Sequence, residues 1–314
     1  MNFDGKIEEK KSEKSPCVAT VGFFDGVHLG HRFLLGCVTE EARKRGLESV
    51  AVTFPDSPLT VLRPELDIKL LSTAEEKERL LHEAGISRVA MLPFTRDLAN
   101  LTAEQFMQQV LREQLDARVL VMGYDHRFGR GGSASYADCV RIGGAMGIEV
   151  LRAPQLTSDV STTFGPVSSS AIRSALQAGE VEQANRGLGY EYMLEGIVVG
   201  GYHVGTSLGY PTANISVSAR KLIPANGVYA VRVRVGEHEA FGMLNIGSRP
   251  TLDNGHDISI EVNIFDFHEN IYSEKISISF VRFIREEQKF SSTEALIRQL
   301  QQDEQVCRRI FSGC

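Results

Sequence analysis

The 314-residue chain has no apolar run approaching the roughly 20 residues that a bilayer span requires, and its mean hydropathy is −0.12, which excludes a helical membrane protein. It has no basic surplus: 34 Lys and Arg stand against 40 Asp and Glu, a net charge of −6. That balance argues against a dedicated nucleic-acid binder, while phosphate ligands, which are held locally, remain compatible with it. Cysteine is sparse. The five residues Cys17, Cys37, Cys139, Cys307 and Cys314 are scattered without zinc-ligand or redox spacing, so neither a metal cluster nor a disulfide framework is expected. The first 16 residues, MNFDGKIEEKKSEKSP, lack the apolar core of a secretory signal. They read as a charged flexible tail, and a reducing cytoplasm is the expected setting. No internal repeat is visible, which excludes solenoid architectures.

What is present falls into two rhythms. From Cys17 to about Gly187, strand-like and helical runs alternate. Strands are expected at Cys17–Phe24, Ser49–Phe54, Arg88–Leu92, Arg118–Met122 and Ile148–Leu151. Helices are expected from Gly30, behind a capping box of Ser72 and Glu75, from Thr102 and Gln105, and over Ala137–Met146. Two short helices, Ser170–Ala178 and Val181–Arg186, close this half. Such alternation predicts an open parallel α/β sheet. Beyond Gly187-Leu188-Gly189 the period changes to short strands, Glu195–Val199, Gly227–Val235, Phe241–Ile246, Ile258–Phe265 and Ile276–Phe283, with one helix over Thr293–Ile310. Strand after strand with a single terminal helix predicts a small antiparallel β-barrel. The expected organisation is a tail over 1–16, an α/β domain over 17–187 and a barrel domain over 188–314.

In the first half, GFFDGVHLGH (22–31) sits where the first strand gives way to the first helix. Ligands bind at that carboxyl edge in open α/β sheets. Gly22, Gly26 and Gly30 permit tight turning and close approach, and the helix start offers free N–H groups to phosphate. His28 and His31, three apart, can face one point there and donate to phosphate oxygens. GYDHRFGR (123–130) follows another strand and belongs to the same edge. Ser168-Ser169-Ser170, with Arg173 just inside the helix, is an anion-binding arrangement, though taken alone such a cluster is more often just a helix cap, and Asp125 just a turn residue.

In the second half, Gly200, Gly201, Gly205 and Gly209 precede Pro211-Thr212-Ala213-Asn214. Thr212 and Asn214 point to one side of an extended strand and offer hard oxygen ligands for a nucleotide-borne Mg²⁺. By itself, Pro-Thr-Ala-Asn also reads as a turn with satisfied side chains. Glu261 alternates away from Val262 and Ile264 and shares a face with Asn263, which suits a proton acceptor or a surface charge.

GFFDGVHLGH, GYDHRFG and SSSAIR resemble the FAD synthetase module of the prokaryotic bifunctional riboflavin kinase/FAD synthetases, which are HxGH nucleotidyltransferases. GYPTAN (209–214), LIPANGVY (222–229), NIGSRPT (245–251), Glu261–Phe267 and FIREEQKF (283–290) are similar to the riboflavin kinase module of the same family. The resemblance implies a Rossmann-like adenylyltransferase domain, a kinase barrel, and riboflavin, FMN and ATP as small-molecule substrates, with no nucleic-acid or membrane partner. It implies an ATP site at His28 and His31 with Gly22, Phe23, Asp25, Gly26, Gly30 and Asp125, and with Ser168, Ser169, Ser170 and Arg173 near the phosphates. In the barrel it implies Gly205 and Pro211 at ATP, Thr212 and Asn214 on Mg²⁺, Glu261 as base and Arg285 near the flavin. This chain departs from the family at Ser57 and Asn263, where His is common, at Thr206, where Arg is usual, and at Asp125, often Asn. The loss of a cation at Thr206 leaves open a FAD synthetase with weak kinase activity; a non-catalytic flavin store and an HxGH transferase of another substrate also remain open.

Overall fold

The computed structural model describes residues 15–124, 128–155, 167–201, 205, 208–250 and 256–312. They form two compact units, the first ending at Ser169 and the second beginning at Ser170. The first is built on a parallel sheet of β1 (Cys17–Val21), β2 (Glu48–Thr53), β3 (Arg88–Met91), β4 (Ala117–Met122) and β5 (Glu149–Arg152) in the order β3-β2-β1-β4-β5. Every residue of β1 is buried, as expected of a central parallel strand covered on both faces. The expected strand to Phe24 stops at Val21, because the chain turns left-handed at Phe24 (φ 50°) and leaves the sheet.

The helices of this unit are α1 (Leu29–Arg45), α2 (Pro58–Leu62), α3 (Ala74–Glu83), α4 (Arg96–Asn100), α5 (Ala103–Phe106, continued by a wider turn over Met107–Arg112) and α6 (Tyr136–Ala145). α1 ends on Gly46 in the left-handed conformation, and α5 opens with the Thr102/Gln105 capping box read from the sequence. At α3 the expectation is corrected: Thr73 caps the helix and Glu76 closes the box, one residue later than Ser72 and Glu75. Ser72 is unavailable for capping because its hydroxyl bonds Asp25 and the Gly26 amide.

The second unit starts with α7 (Ser169–Gln177, shared across the division) and α8 (Val181–Leu188). Six strands then close a barrel: β6 (Met193–Val199), β7 (Ala213–Val217), β8 (Gly227–Val235), β9 (His238–Pro250), β10 (His256–Ile264) and β11 (Lys275–Arg285), in the cyclic order β10-β7-β6-β11-β8-β9. The pairings are antiparallel, and α9 (Thr293–Ser312) completes the unit. β7 is the strand that periodicity alone did not separate, being five residues of mixed polarity behind a proline. Tyr192, Tyr229 and Phe280 are fully buried; the Tyr192 hydroxyl donates to the Leu222 carbonyl at 2.6 Å, so its polar tip is satisfied in the core.

Candidate active sites

The strand order reverses between β1 and β4, and the carboxyl ends of these strands form the crevice in which such sheets bind ligands. Gly22–His28 leaves β1 at that place. Its backbone is left-handed at Phe24 (φ 50°), Gly26 (φ 72°) and Val27 (φ 37°). A non-glycine residue held there costs on the order of 1–2 kcal/mol, so its surroundings must impose it. Asp25 does so. It is 1% exposed, and its carboxylate accepts the Leu71 amide at 3.0 Å and the Ser72 amide at 3.1 Å. The Gly26 amide donates to the Ser72 hydroxyl at 3.0 Å, and the Ser169 hydroxyl to the Asp25 carbonyl at 3.1 Å. Asp25 thus fixes the conformation of the loop.

The loop delivers two imidazoles to the start of α1. His28 is the N-cap: its Nδ1 accepts the His31 amide at 3.4 Å, which places the ring proton on Nε2. The two rings do not converge edge-on toward a point; they stack, with centroids 3.6 Å apart and 17° between planes. His31 also meets the edge of the Phe24 ring at 5.3 Å. Burial first, then His28 and Lys77, hold the His31 imidazole well below its usual titration range, so it is neutral at physiological pH. Its Nδ1 is shielded from solvent and has no hydrogen-bond partner among the described residues.

Beside this loop lies a cavity of about 610 Å³ whose walls include Gly22, Phe23, Phe54, Phe94, Phe106 and Phe128. Pro58 and Leu62 of α2 also line it. Ser57, where the family commonly has His, N-caps α2 by accepting the Leu59 amide at 3.3 Å.

The barrel site is assembled differently. Glu261 on β10 pairs directly with Asn214 on β7, which places both on one face of the ladder. The Thr212 hydroxyl lies 3.5 Å from the Glu261 carboxylate. Asn263, on the same face as Glu261, donates to the Pro211 carbonyl at 2.7 Å and so fixes the residue before Thr212. Gly205 receives the Tyr210 amide on its carbonyl at 2.8 Å; a Cβ there would lie 2.2 Å from the Tyr210 carbonyl oxygen, so only glycine permits this approach. A cavity of about 310 Å³ is lined by Tyr210, Thr212, Glu261, Asn263 and Arg285. A second, of about 290 Å³, is lined by Pro211, Thr212, Phe267, His268 and Tyr272. Thr212 belongs to both. Arg285 does not present a free guanidinium: Nε and Nη2 grip the buried Asp303 at 3.0 and 2.8 Å. A wider groove of about 590 Å³ between Phe241, Phe265 and Arg308 is lined by the end of the Glu261–Phe267 motif but by none of the candidate site residues.

A riboflavin kinase family model matches residues 188–311, and a FAD synthetase model matches residues 10–170. A bifunctional riboflavin kinase/FMN adenylyltransferase of Listeria monocytogenes is 36% identical over 297 residues, covering 94% of this chain and 92% of that protein. The chain belongs to the bifunctional riboflavin kinase/FMN adenylyltransferases. An Escherichia coli member is likewise 36% identical over 298 residues, covering 94% and 93% of the two chains. The solved structure of a Streptococcus pneumoniae protein, titled a macrolide-efflux protein, superposes with a TM-score of 0.87 at 33% identity, covering 96% of this chain and 97% of that one. In the present chain no helix among the described residues is long and apolar enough to cross a membrane. The enzyme therefore carries a kinase module and an adenylyltransferase module of flavin-cofactor synthesis, as its motifs implied.

In the adenylyltransferase module, the structure gathers Gly22, Phe23, Asp25, Gly26, His28, Gly30 and His31 on one loop and helix start. Ser168 and Ser169 stand at the beginning of α7; Ser170 is exposed and Arg173 half-buried further along it. Asp125 and Thr206 lie outside the described residues. In the kinase module, Gly205, Pro211, Thr212, Glu261 and Arg285 line the two adjoining cavities, and Asn214 lines neither but pairs with Glu261 across the ladder. Sequence reasoning missed the phenylalanine-lined cavity, because those residues are spread over more than a hundred positions and only the sheet edge unites them. It also missed Lys77, buried beside the imidazole pair; a lysine on an amphipathic helix reads as solvated.

Proposed function

We propose that adenylylation takes place over residues 17–187 and phosphorylation over residues 188–314, as two separate phosphate-handling sites. In the first, the flavin ring of FMN occupies the phenylalanine-lined cavity, whose volume lies within the usual range for such ligands. ATP lies across the start of α1, with Ser168 and Ser169 toward its phosphates; the family resemblance implies Ser170, Arg173 and Asp125 as further ATP residues. The FMN phosphate attacks the α-phosphorus in line and pyrophosphate departs. That nucleophile is already anionic, so the site needs no strong base. What it must do is receive the charge that develops on the leaving group. Nε2–H of His28, the neutral ring of His31 and the amides at the start of α1 supply donors for it.

In the barrel, the two cavities meeting at Thr212 suit riboflavin on the Glu261 side and ATP on the His268 side. Glu261 accepts the proton of the riboflavin 5′-hydroxyl as that oxygen attacks the γ-phosphorus. Thr212 and Asn214 offer oxygen donors suited to Mg²⁺, and no cluster of three or more His, Cys, Asp or Glu among the described residues forms a dedicated metal cage. The donor set therefore fits an ion carried in by the triphosphate. When bound, Mg²⁺ neutralises charge on the phosphates. Arg285, braced by Asp303, gives a fixed wall near the flavin. The expected setting is the cytoplasm, without nucleic acid or membrane.

The observation that carries this reading is the stacked imidazole pair with an unpartnered, shielded Nδ1 at a helix start. His31→Ala is expected to lower FAD formation from FMN and ATP by about 10²–10³, while FMN formation from riboflavin and ATP stays within about twofold of the parent. Parallel loss of both activities in a folded variant would defeat the two-site assignment.

A further inference from the structure

Lys77 is fully buried, yet the mechanism above does not use it. It lies in the opening turns of α3, where the positive end of the helix dipole disfavours a cation. Its Nζ donates to the Phe54 carbonyl at 2.6 Å and lies 3.9 Å from the centre of the Phe23 ring. Neither partner carries charge. The carboxylate that faces it, Asp25, is engaged by the amides of Leu71 and Ser72. On its own helix, Glu76 is held by the Thr73 amide at 2.8 Å. From α1, His31 faces it with His28 stacked behind. Burial lowers the Lys77 ammonium to about 8, against the attraction of Asp25.

For stability alone, this is a poor place for a lysine. An unbranched apolar side chain would fill the volume and remove a desolvated charge, and such replacements are often neutral or stabilising. The arrangement makes sense as part of the chemistry. Phe23 and Phe54, the two groups Lys77 touches, are walls of the cavity assigned to the flavin, and Phe23 is continuous with the loop that carries His28.

We propose that Lys77 is a positioning residue of the adenylyl transfer: its buried ammonium, fastened between the Phe23 ring and the Phe54 carbonyl, places fixed positive charge beside the imidazole pair. One effect is to oppose protonation of His31, so that the ring meets pyrophosphate as a neutral donor and not as a cation stacked on a second imidazole. The other is to hold the Phe23 wall against the phosphate loop. Because the charge is required, FAD formation is lost as pH rises through the titration of Lys77, near 8. This rests on the assignment of the imidazole pair to the departing pyrophosphate.

The test uses the full-length chain with Lys77→Met and Lys77→Arg. Four quantities are read: FAD formation from FMN and ATP between about pH 6 and 9.5, FMN formation by the same preparations, the thermal midpoint, and the NMR titration of the His31 ring. Lys77→Met should melt at or above the parent temperature and keep FMN formation within about twofold, while kcat for FAD formation falls about tenfold or more and KM for ATP changes less than about threefold. The alkaline fall near 8 should vanish in it, and the His31 ring should take up a proton at slightly higher pH than in the parent while burial and His28 still hold it below an ordinary histidine. Lys77→Arg, which keeps its charge throughout this range, should retain much of the activity and lose the alkaline fall. A Lys77→Met enzyme with parental kcat and pH profile overturns the inference. So does one that loses FAD formation only together with its thermal midpoint, with His31 titrating as before. A large loss in His31→Ala with none in Lys77→Met sinks this inference alone; no loss in either sinks the underlying assignment and this with it.

Discussion

The two candidate sites are built on opposite principles. In the adenylyltransferase module, the loop after β1 is buried, left-handed at two non-glycine residues and tied down by a carboxylate that accepts the amides of Leu71 and Ser72. Its donors are backbone amides and neutral rings. In the kinase module, side-chain oxygens stand on a strand ladder beside two cavities, with a glycine passing close above them. Under the proposed function, the difference follows from the nucleophiles. FMN brings an ionised phosphate, so the first site has only to receive charge, and rigid preorganised donors do that best. Riboflavin brings a hydroxyl, so the second needs a proton acceptor and an ion, and neither can be supplied by backbone alone.

That contrast can be broken in order of size. The largest effect is expected from Glu261→Gln, which should lower FMN formation by about 10²–10⁴ while FAD formation from supplied FMN is unchanged; a loss in both assays would mean that the sites are not independent. Asp25→Asn tests whether the first site depends on its scaffold. The amide would oppose N–H groups that need acceptors, at a cost of about 1–3 kcal/mol. The melting point should drop by several degrees and FAD formation by about tenfold, with FMN formation spared when assayed below the transition.

The third prediction concerns acid. His31 resists protonation when folded, whereas in the unfolded chain it takes up a proton near its ordinary value, 6.5. The unfolded state therefore binds more protons below that value, and stability falls with falling pH by up to about 1.4 kcal/mol per unit from this group. Urea unfolding at about pH 7 and pH 5 should show a smaller pH dependence in His31→Gln than in the parent; equal slopes would contradict the neutral, buried ring. The smallest effect should come from Asn263→Ala, which frees the Pro211 carbonyl and ought to cost roughly 1 kcal/mol, or about fivefold in kcat/KM for riboflavin phosphorylation. Asn263→His, the residue common in the family, should recover most of it, and an unchanged Asn263→Ala would show that the Pro-Thr turn holds itself.

Much of this was legible in the chain. Alternation of strand and helix followed by strands alone gave both architectures, because apolar periodicity is a local property of each segment. The two histidines three apart after a strand, and Thr212 and Asn214 two apart behind a proline, marked the places where phosphate chemistry is proposed. Their partners were harder. Ser72 looked like a cap, yet serves Asp25 and Gly26, since a hydroxyl bonds whichever groups the fold brings near it. Asp25 looked like a ligand residue, yet its carboxylate faces the amides of a loop 46 positions away.

By itself, then, the sequence determined the elements, their approximate limits, the two modules and the motif residues that mark each site, all of which depend on neighbours within a few positions. The tertiary structure decided which of those residues line cavities and which hold the frame. It stacked the imidazoles, gathered the phenylalanines into a cavity, braced Arg285 on Asp303 and buried Lys77 against Phe23 and Phe54. Burial, desolvation and hydrogen-bond satisfaction are properties of a packed neighbourhood, and the residues forming that neighbourhood come from strand ends and loops far apart along the chain.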